Sequence, residues 1–482
     1  MATIRVSSNS QLSSALRSAG SGDTISLSGG TYSLTLRGEN ASGATIKAAS
    51  GAHVSFTKVD LANVSNLTFD NVDFVGRTDG RLFQMQSSNN ITVRNSTFDG
   101  ANNGTAFWAN KSDKITLDDN LIKDFRIGAW IGSIDNLTIS DNSLSNIRYD
   151  GMIIGKVHGA TVSGNSISLN VPSGTSGAVH TDGIQFYNTT PSDPMSNVVV
   201  RNNRIETNNT ISHGIYAGNG AADSKGGSSN FFKSVTIDHN TVVSGQLAGI
   251  AIGQTAGLKI TNNILLQDTG NRSSADVRTP EIRVQHDSTN VTITGNVVHE
   301  TPAPSGKNWQ PTGHSEPGWT IANNKVVSTG TSVKTAESLA PSAGAASGVK
   351  AAAAASSPSE APATKVGAGD GDADHFRFDG AKATKGSGHV DGLDFGDGDT
   401  LTLIHYDTGT MKYFAGGNPL QASINGTYVK IDSMADLREL DAASSKVSMH
   451  TKDDTLVIDI AQKGADHVIE LAGLGHAYAD LL

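Results

Sequence analysis

The chain has 482 residues, 53 of them Gly and 12 Pro, with no Cys and only 5% aromatics. A formal charge of −10 argues against a general phosphate-binding surface, so no nucleic-acid partner is expected. The lack of Cys excludes disulfides, thiolate catalysis and Cys-ligated zinc. No apolar run approaches the ~18 residues of a membrane-spanning helix. The start, Met1-Ala-Thr-Ile-Arg-Val6, lacks the charged and apolar regions of a Sec signal.

Near the start, Leu12-Ser-Ser-Ala-Leu16 predicts a short amphipathic helix capping an open end. The residues beyond it repeat. Short strands ending in Asn recur as Ile115-Thr-Leu-Asp-Asp-Asn120, Leu137-Thr-Ile-Ser-Asp-Asn142 and Ala160-Thr-Val-Ser-Gly-Asn165, and again at Asn203, Asn240, Asn263 and Asn296. Apolar residues at the first and third positions suit a strand with one buried face. The Asn spacings are 22, 23, 38, 37, 23 and 33. A basal repeat of 22–23 residues with insertions predicts a parallel β-helix, an all-β solenoid with coils stacked about 4.8 Å apart. The Leu-x-x-Leu-x-Leu pattern of the rival solenoid is absent. A stacked Asn is expected to bond its neighbours' backbone and to tolerate left-handed geometry.

A second column runs through the same coils. Gly128-Ala-Trp-Ile-Gly132, Gly151-Met-Ile-Ile-Gly155, Gly183-Ile-Gln-Phe-Tyr187, Gly214-Ile-Tyr-Ala-Gly218 and Gly249-Ile-Ala-Ile-Gly253 align without gaps. Alternation turns Trp130, Ile153, Gln185, Tyr216 and Ala251 outward. The residues before each leading Gly include Asp150, Asp182 and His213 on consecutive coils. Strict alternation points these three inward. A leading Gly with positive φ would re-aim them to solvent, and two adjacent buried carboxylates would be costly, so they are expected outward. Arg148, Tyr149 and His180 flank them, and insertions after Asn165, Asn203 and Asn263 would wall a cleft. Trp108 and Trp130 could stack on sugar rings, although groove-filling explains them equally well. Lys156, Lys225 and Lys233 could attract an anionic chain, but scattered Lys are usually just solvated.

Composition then shifts. Residues 334–366 are mostly Ala, Ser, Pro, Gly and Thr and read as a linker between a β-helix over 1–333 and a β-rich unit over 367–482. In that last unit Asp370, Asp372 and Asp374 alternate ahead of His375-Phe-Arg-Phe378.

The first unit resembles the pectate-lyase-like superfamily of right-handed β-helices, which includes polysaccharide lyases, polygalacturonase-type hydrolases and mannuronan C5-epimerases. The resemblance rests on Gly22-Asp-Thr-Ile-Ser-Leu-Ser-Gly-Gly-Thr-Tyr32 and on His180-Thr-Asp-Gly-Ile-Gln185, and it covers about two-thirds of the chain. It implies a secreted, extracellular enzyme acting as a monomer on an acidic polysaccharide, without an organic cofactor. Three chemistries compete. In a lyase, His180 or His213 is the base, Tyr149 or Tyr216 the acid, and Arg148 or Lys156 neutralises the uronate, with Asp150 and Asp182 as a candidate Ca²⁺ site. In a hydrolase, Asp150 and Asp182 form the acid pair, and His180-Thr-Asp-Gly, Ser212-His-Gly and Glu281-Ile-Arg283 echo polygalacturonase motifs, with Glu281 and Arg283 departing from R-I-K. In an epimerase, Tyr149 and His213 serve opposite sugar faces, but Asp150-Gly-Met stands where D-P-H is expected. A lyase ranks first, a hydrolase second and an epimerase third, with a non-catalytic glycan-binding β-helix as the remaining alternative. Gln185, Trp130, Tyr216, Lys156 and Arg283 are the substrate-binding candidates. The tail resembles calcium-binding type I secretion domains of serralysin-like proteins. That implies the type I secretion machinery as partner and Ca²⁺ at Asp370, Asp372 and Asp374.

Overall fold

The computed structural model describes residues 1–76, 80–172, 181–207, 212–268, 278–305 and 316–340, and strands and single positions between 375 and 474. The chain divides into two compact units, Met1–Ala345 and Ala346–Leu482.

The first unit is the parallel β-helix that the repeat predicts. Among the described residues its 31 strands pair in parallel throughout. Typical of the register, Ile115↔Leu137, Thr116↔Thr138 and Leu117↔Ile139 continue as Leu137↔Ala160, Thr138↔Thr161 and Ile139↔Val162. The helix Asn9–Ser18 closes one end, burying Leu12, Ala15 and Leu16, and its N-cap Ser8 accepts the N–H of Gln11. In the first coils the interior is a stack of phenylalanines, with Phe74 on Phe98 at 4.4 Å and Phe83 on Phe107 at 5.1 Å between centroids. Sequence patterning did not single out this stack.

The Asn column is buried and continuous. Asn142 Oδ1 accepts the backbone N–H of Asn120 at 3.0 Å and its Nδ2–H at 2.9 Å. Asn142 in turn donates to Asn165 Oδ1, and the same pattern runs through Asn203, Asn240, Asn263 and Asn296 to Asn324. The left-handed residue is not the stacked Asn but the one before it: Asp119, Asp141, Asn202 and Asn262 have φ of 48°, 54°, 55° and 57°. That geometry turns the chain so the following amide points inward.

The far coils are closed on one side by the helix Val333–Leu339, whose Ala336 is fully buried beside Ile264, Leu266 and Val297. Residues 334–339, expected as linker, are therefore helical, and their small apolar residue has a surface to cover. The second unit contains a three-stranded and a four-stranded sheet. The hairpin Val447–Lys452 with Thr455–Ile460 buries Leu456, Ile458 and Ile460. Asp370, Asp372 and Asp374 lie outside the described residues.

Two outcomes follow from this packing. Asn203→Ala removes donors to Asn240, Val162 O and Arg201 O and the acceptor of two Asn165 N–H groups. It should cost about 3 kcal/mol or more in denaturant unfolding, since buried partners are left unsatisfied at roughly 1–3 kcal/mol each. A loss below about 1 kcal/mol would show that the ladder is not a main support. A protein ending at Ala345 should melt at the temperature of the corresponding full-length transition, whereas one ending at Ser332 should melt lower for want of Ala336.

Candidate active site

The leading glycines explain how the polar column is placed. None of Gly151, Gly183 and Gly214 has a positive φ, so the re-aiming expected from the sequence does not occur. They face the interior instead. A β-carbon on Gly183 would lie 2.4 Å from Ile205 Cγ2 and 2.7 Å from Gly214 O. Only glycine lets the coils approach this closely.

Asp182 and His213 are register partners on the strands Thr181–Tyr187 and Ser212–Gly218. Their side chains meet, with His213 Nδ1 2.7 Å from Asp182 Oδ1. Asp182 Oδ2 accepts the Gln185 amide at 2.8 Å, which places the carboxylate on the outer side with Gln185. Asp150 lies one coil back, and its Oδ1 accepts the Asp182 backbone N–H at 2.7 Å. The expected exposure of the two carboxylates is wrong: Asp182 has 0% and Asp150 2% of their surface accessible, while the His213 side chain keeps 16%. Gln185 and His213 occupy the Asp182 carboxylate and the Asp182 backbone N–H donates to Asp150, and these hydrogen bonds offset the cost of burying charge.

The imidazole is held from a second side, as its ring stacks on Tyr216 at 5.3 Å and 20°. With a carboxylate on Nδ1, the favoured neutral tautomer carries its proton on that nitrogen. Burial, then the charge of Asp182, then that of Asp223 push the Tyr216 phenol above its ordinary value of 10. Tyr149 is likewise raised, by burial first and then by Asp150, with Arg126 opposing and Asp182 adding. Both phenols therefore stay protonated through neutral pH.

The cation beside Tyr149 is Arg126, whose guanidinium lies 4.4 Å from the ring centroid. Sequence reading missed it. The backbone bonds from Arg148 N to Phe125 O and from Gly128 N to Asp150 O place Arg126 opposite Tyr149. Extending the gap-free alignment of the glycine motifs two residues back would have found it. Arg148 instead reaches the Asn102 carbonyl at 3.4 Å. Lys156 is paired with Asp193 at 2.6 Å, and Arg283 with Glu281 at 2.8 Å. The expected column is in register, Trp130↔Ile153, Ile153↔Gln185, Gln185↔Tyr216 and Tyr216↔Ala251, and continues to Arg283, but Ile153 and Ala251 are buried and do not face solvent. His180 lies outside the described residues.

Calcium does not fit the Asp150–Asp182 pair. The ion takes roughly six to eight oxygens, while Asp182 has one oxygen on His213 and the other on Gln185. Among the described residues no group of three or more His, Asp or Glu side chains is arranged to hold a metal.

The family model described as right handed beta helix region matches residues 81–265, the span containing this site. No curated protein matches the sequence. Among solved structures, an alginate lyase from Paenibacillus sp. str. FPU-7 is similar at 14% identity, covering 67% of this chain and 99% of its own, with a TM-score of 0.37. A polygalacturonase from Erwinia carotovora ssp. carotovora matches at 14% identity over 68% and 96%, TM-score 0.36. PfbA, a surface adhesin of Streptococcus pneumoniae, matches at 12% over 67% and 87%, TM-score 0.39. Chemistry has to be argued from the side chains.

The tyrosines give a pH test. Tyr32, Tyr149, Tyr187 and Tyr216 all titrate above the ordinary 10, in each case chiefly through burial. Raised folded-state values mean stability that is complete below about pH 10 and is lost as pH rises through the folded values. In the protein ending at Ala345, phenolate absorbance should therefore appear only above pH 10 and together with unfolding. Ordinary ionisation of any of the four in the folded state would contradict the burial.

Proposed function

We propose that the first unit is an enzyme cleaving a uronate-containing polysaccharide by β-elimination, with His213 as the base. The observation that carries this reading is the fully buried Asp182 carboxylate on His213 Nδ1, which orients the imidazole and favours the tautomer in which Nε2 is the basic nitrogen. Nε2 takes the C5 proton, the C5–H electron pair forms the C4–C5 double bond, and the C4–O bond breaks. Tyr149, protonated because burial and Asp150 raise it, gives its proton to the leaving oxygen. Arg126 beside Tyr149 neutralises the substrate carboxylate and so favours loss of the C5 proton. Asp182 stabilises the imidazolium as it forms, Gln185 fixes the second carboxylate oxygen, and Tyr216 fixes the ring.

The same observation weighs against the hydrolase. A two-carboxylate mechanism needs both groups at the sugar, and Asp182 is enclosed with both oxygens occupied. Asp150 and Asp182 are thus read as positioning residues.

His213→Ala should lower turnover on the cleaved polymer by about 1000-fold and Asp182→Asn by about 100-fold, in the range of a lost general base and its orienting partner. The product should absorb in the ultraviolet as an unsaturated uronide. Reducing ends without absorbance would make the protein a hydrolase; altered uronate stereochemistry at constant chain length, an epimerase; retention of intact polymer, a binding protein. Wild-type turnover by folded His213→Ala would remove the base assignment. Chelator should leave activity of the protein ending at Ala345 unchanged, and its reversible loss would restore a metal mechanism.

A further inference from the structure

A cleft of about 170 Å³ lies on the outer face of the sheet between Trp130 and Tyr187, and the proposed chemistry does not use it. Gly132, Gly155 and Tyr187 are register partners on three successive coils, two residues beyond the outward column. With no side chains at Gly132 and Gly155, the neighbouring rings pack directly on the backbone of the floor. The flanking rings lean over it: a β-carbon on Gly132 would lie 3.0 Å from Trp130 Cη2, and one on Gly155 2.3 Å from Tyr187 Cζ. One face of Trp130 is taken by Trp108, with centroids 5.4 Å apart and planes 7° from parallel. Arg81 covers Trp108 in turn at 3.8 Å. On the coil away from Trp108 the register partner of Trp130 is Ile153, and Trp130 lines the cleft together with Gly155 two residues further on.

The rim is polar and braced. Asn110, Thr189 and Thr190 line it. The loop that carries the threonines is pinned by Ser192 N–H to Asn230 Oδ1 at 2.8 Å and by Asp193, which pairs with Lys156 at 2.6 Å and His158 at 3.1 Å. Lys156 also lines the cleft, but Asp193 balances its charge. The result is an aromatic wall, a flat floor and neutral hydrogen-bonding groups, a combination that suits a sugar ring better than a free anion.

We propose that this cleft is a subsite for one pyranose ring of the polymer, with the ring's C–H face on Trp130 and its hydroxyls on Asn110, Thr189 and Thr190. This rests on reading the site as polysaccharide-active. Tyr187 is five residues beyond Asp182 on the same strand, about 16 Å at 3.3 Å per residue, so the bound sugar is remote from the scissile bond. The subsite therefore adds affinity for longer chains without taking part in bond breaking.

The test uses the full-length chain carrying His213→Ala, titrated calorimetrically with mannuronate, galacturonate and glucuronate oligomers from disaccharide to octasaccharide. Adding Trp130→Ala or Tyr187→Ala should weaken binding of the longest tight ligand by about 10-fold or more and leave disaccharide binding unchanged. Thr189→Trp, on an exposed loop, should plug the cleft with the same effect if Trp130→Ala fails to fold. In the otherwise wild-type chain the same changes should raise KM on polymer and leave kcat near normal. Unchanged affinity in folded Trp130→Ala and Thr189→Trp, or no binding of any oligomer, would overturn the subsite. Normal turnover by His213→Ala would instead remove the base assignment, and the KM comparison in the otherwise wild-type chain would still decide the subsite.

Discussion

The coils that carry the candidate site depend on the buried asparagine ladder, which runs from Asn120 to Asn324. From Asn142 on, each Oδ1 receives two donors from the preceding coil, and each Nδ2 also reaches a strand carbonyl, as Asn142 does with Leu117 O at 3.0 Å. A one-residue slip of any coil would leave several buried amide groups unsatisfied at about 1–3 kcal/mol each. The ladder therefore sets the phase of successive coils whatever the loops between them do. Spacings of 38 and 37 residues separate Asn165, Asn203 and Asn240, yet their hydrogen bonds at 2.9–3.0 Å match those across 22 or 23 residues.

Phase control gives the site its geometry. Asp182 and His213 are 31 residues apart in sequence and come from different coils, yet they share a register position. The glycine after each allows the backbones to pack without a side chain intervening. The solenoid thus places chosen side chains about 4.8 Å apart on a rigid lattice, whatever the length of the insertions between them.

What could be read from the sequence was what repeats. Seven ladder asparagines and the column from Trp130 to Ala251 follow from periodicity alone, because each coil restates the same constraint. Asn324 was overlooked because its strand, Trp319–Ala322, begins with Trp where the others have an aliphatic residue. Burial of Asp182 could not be read, since its cover comes from Gln185 on its own strand and His213 on the next coil. Tyr187 went unnoticed for a related reason: it breaks a column of glycines, and its role comes from lying across Gly155 on the preceding coil. Contacts between columns leave no period along the chain.

The burial of Asp182 also separates the chemistries more sharply than the fold does. A carboxylate meant to attack or protonate a sugar must reach it and must exchange its partners during the reaction. Asp182 would first have to give up Gln185 and His213 in a site where unpaired charge is costly. A carboxylate meant to hold an imidazole needs the opposite: enclosure, a fixed second oxygen and one short contact to Nδ1. Stacking by Tyr216 then removes the ring's remaining freedom. Orientation is thereby settled before substrate arrives, and on the proposed reading this oriented ring is the base, with Tyr149 as a phenol that keeps its proton at neutral pH and Arg126 as the charge beside it.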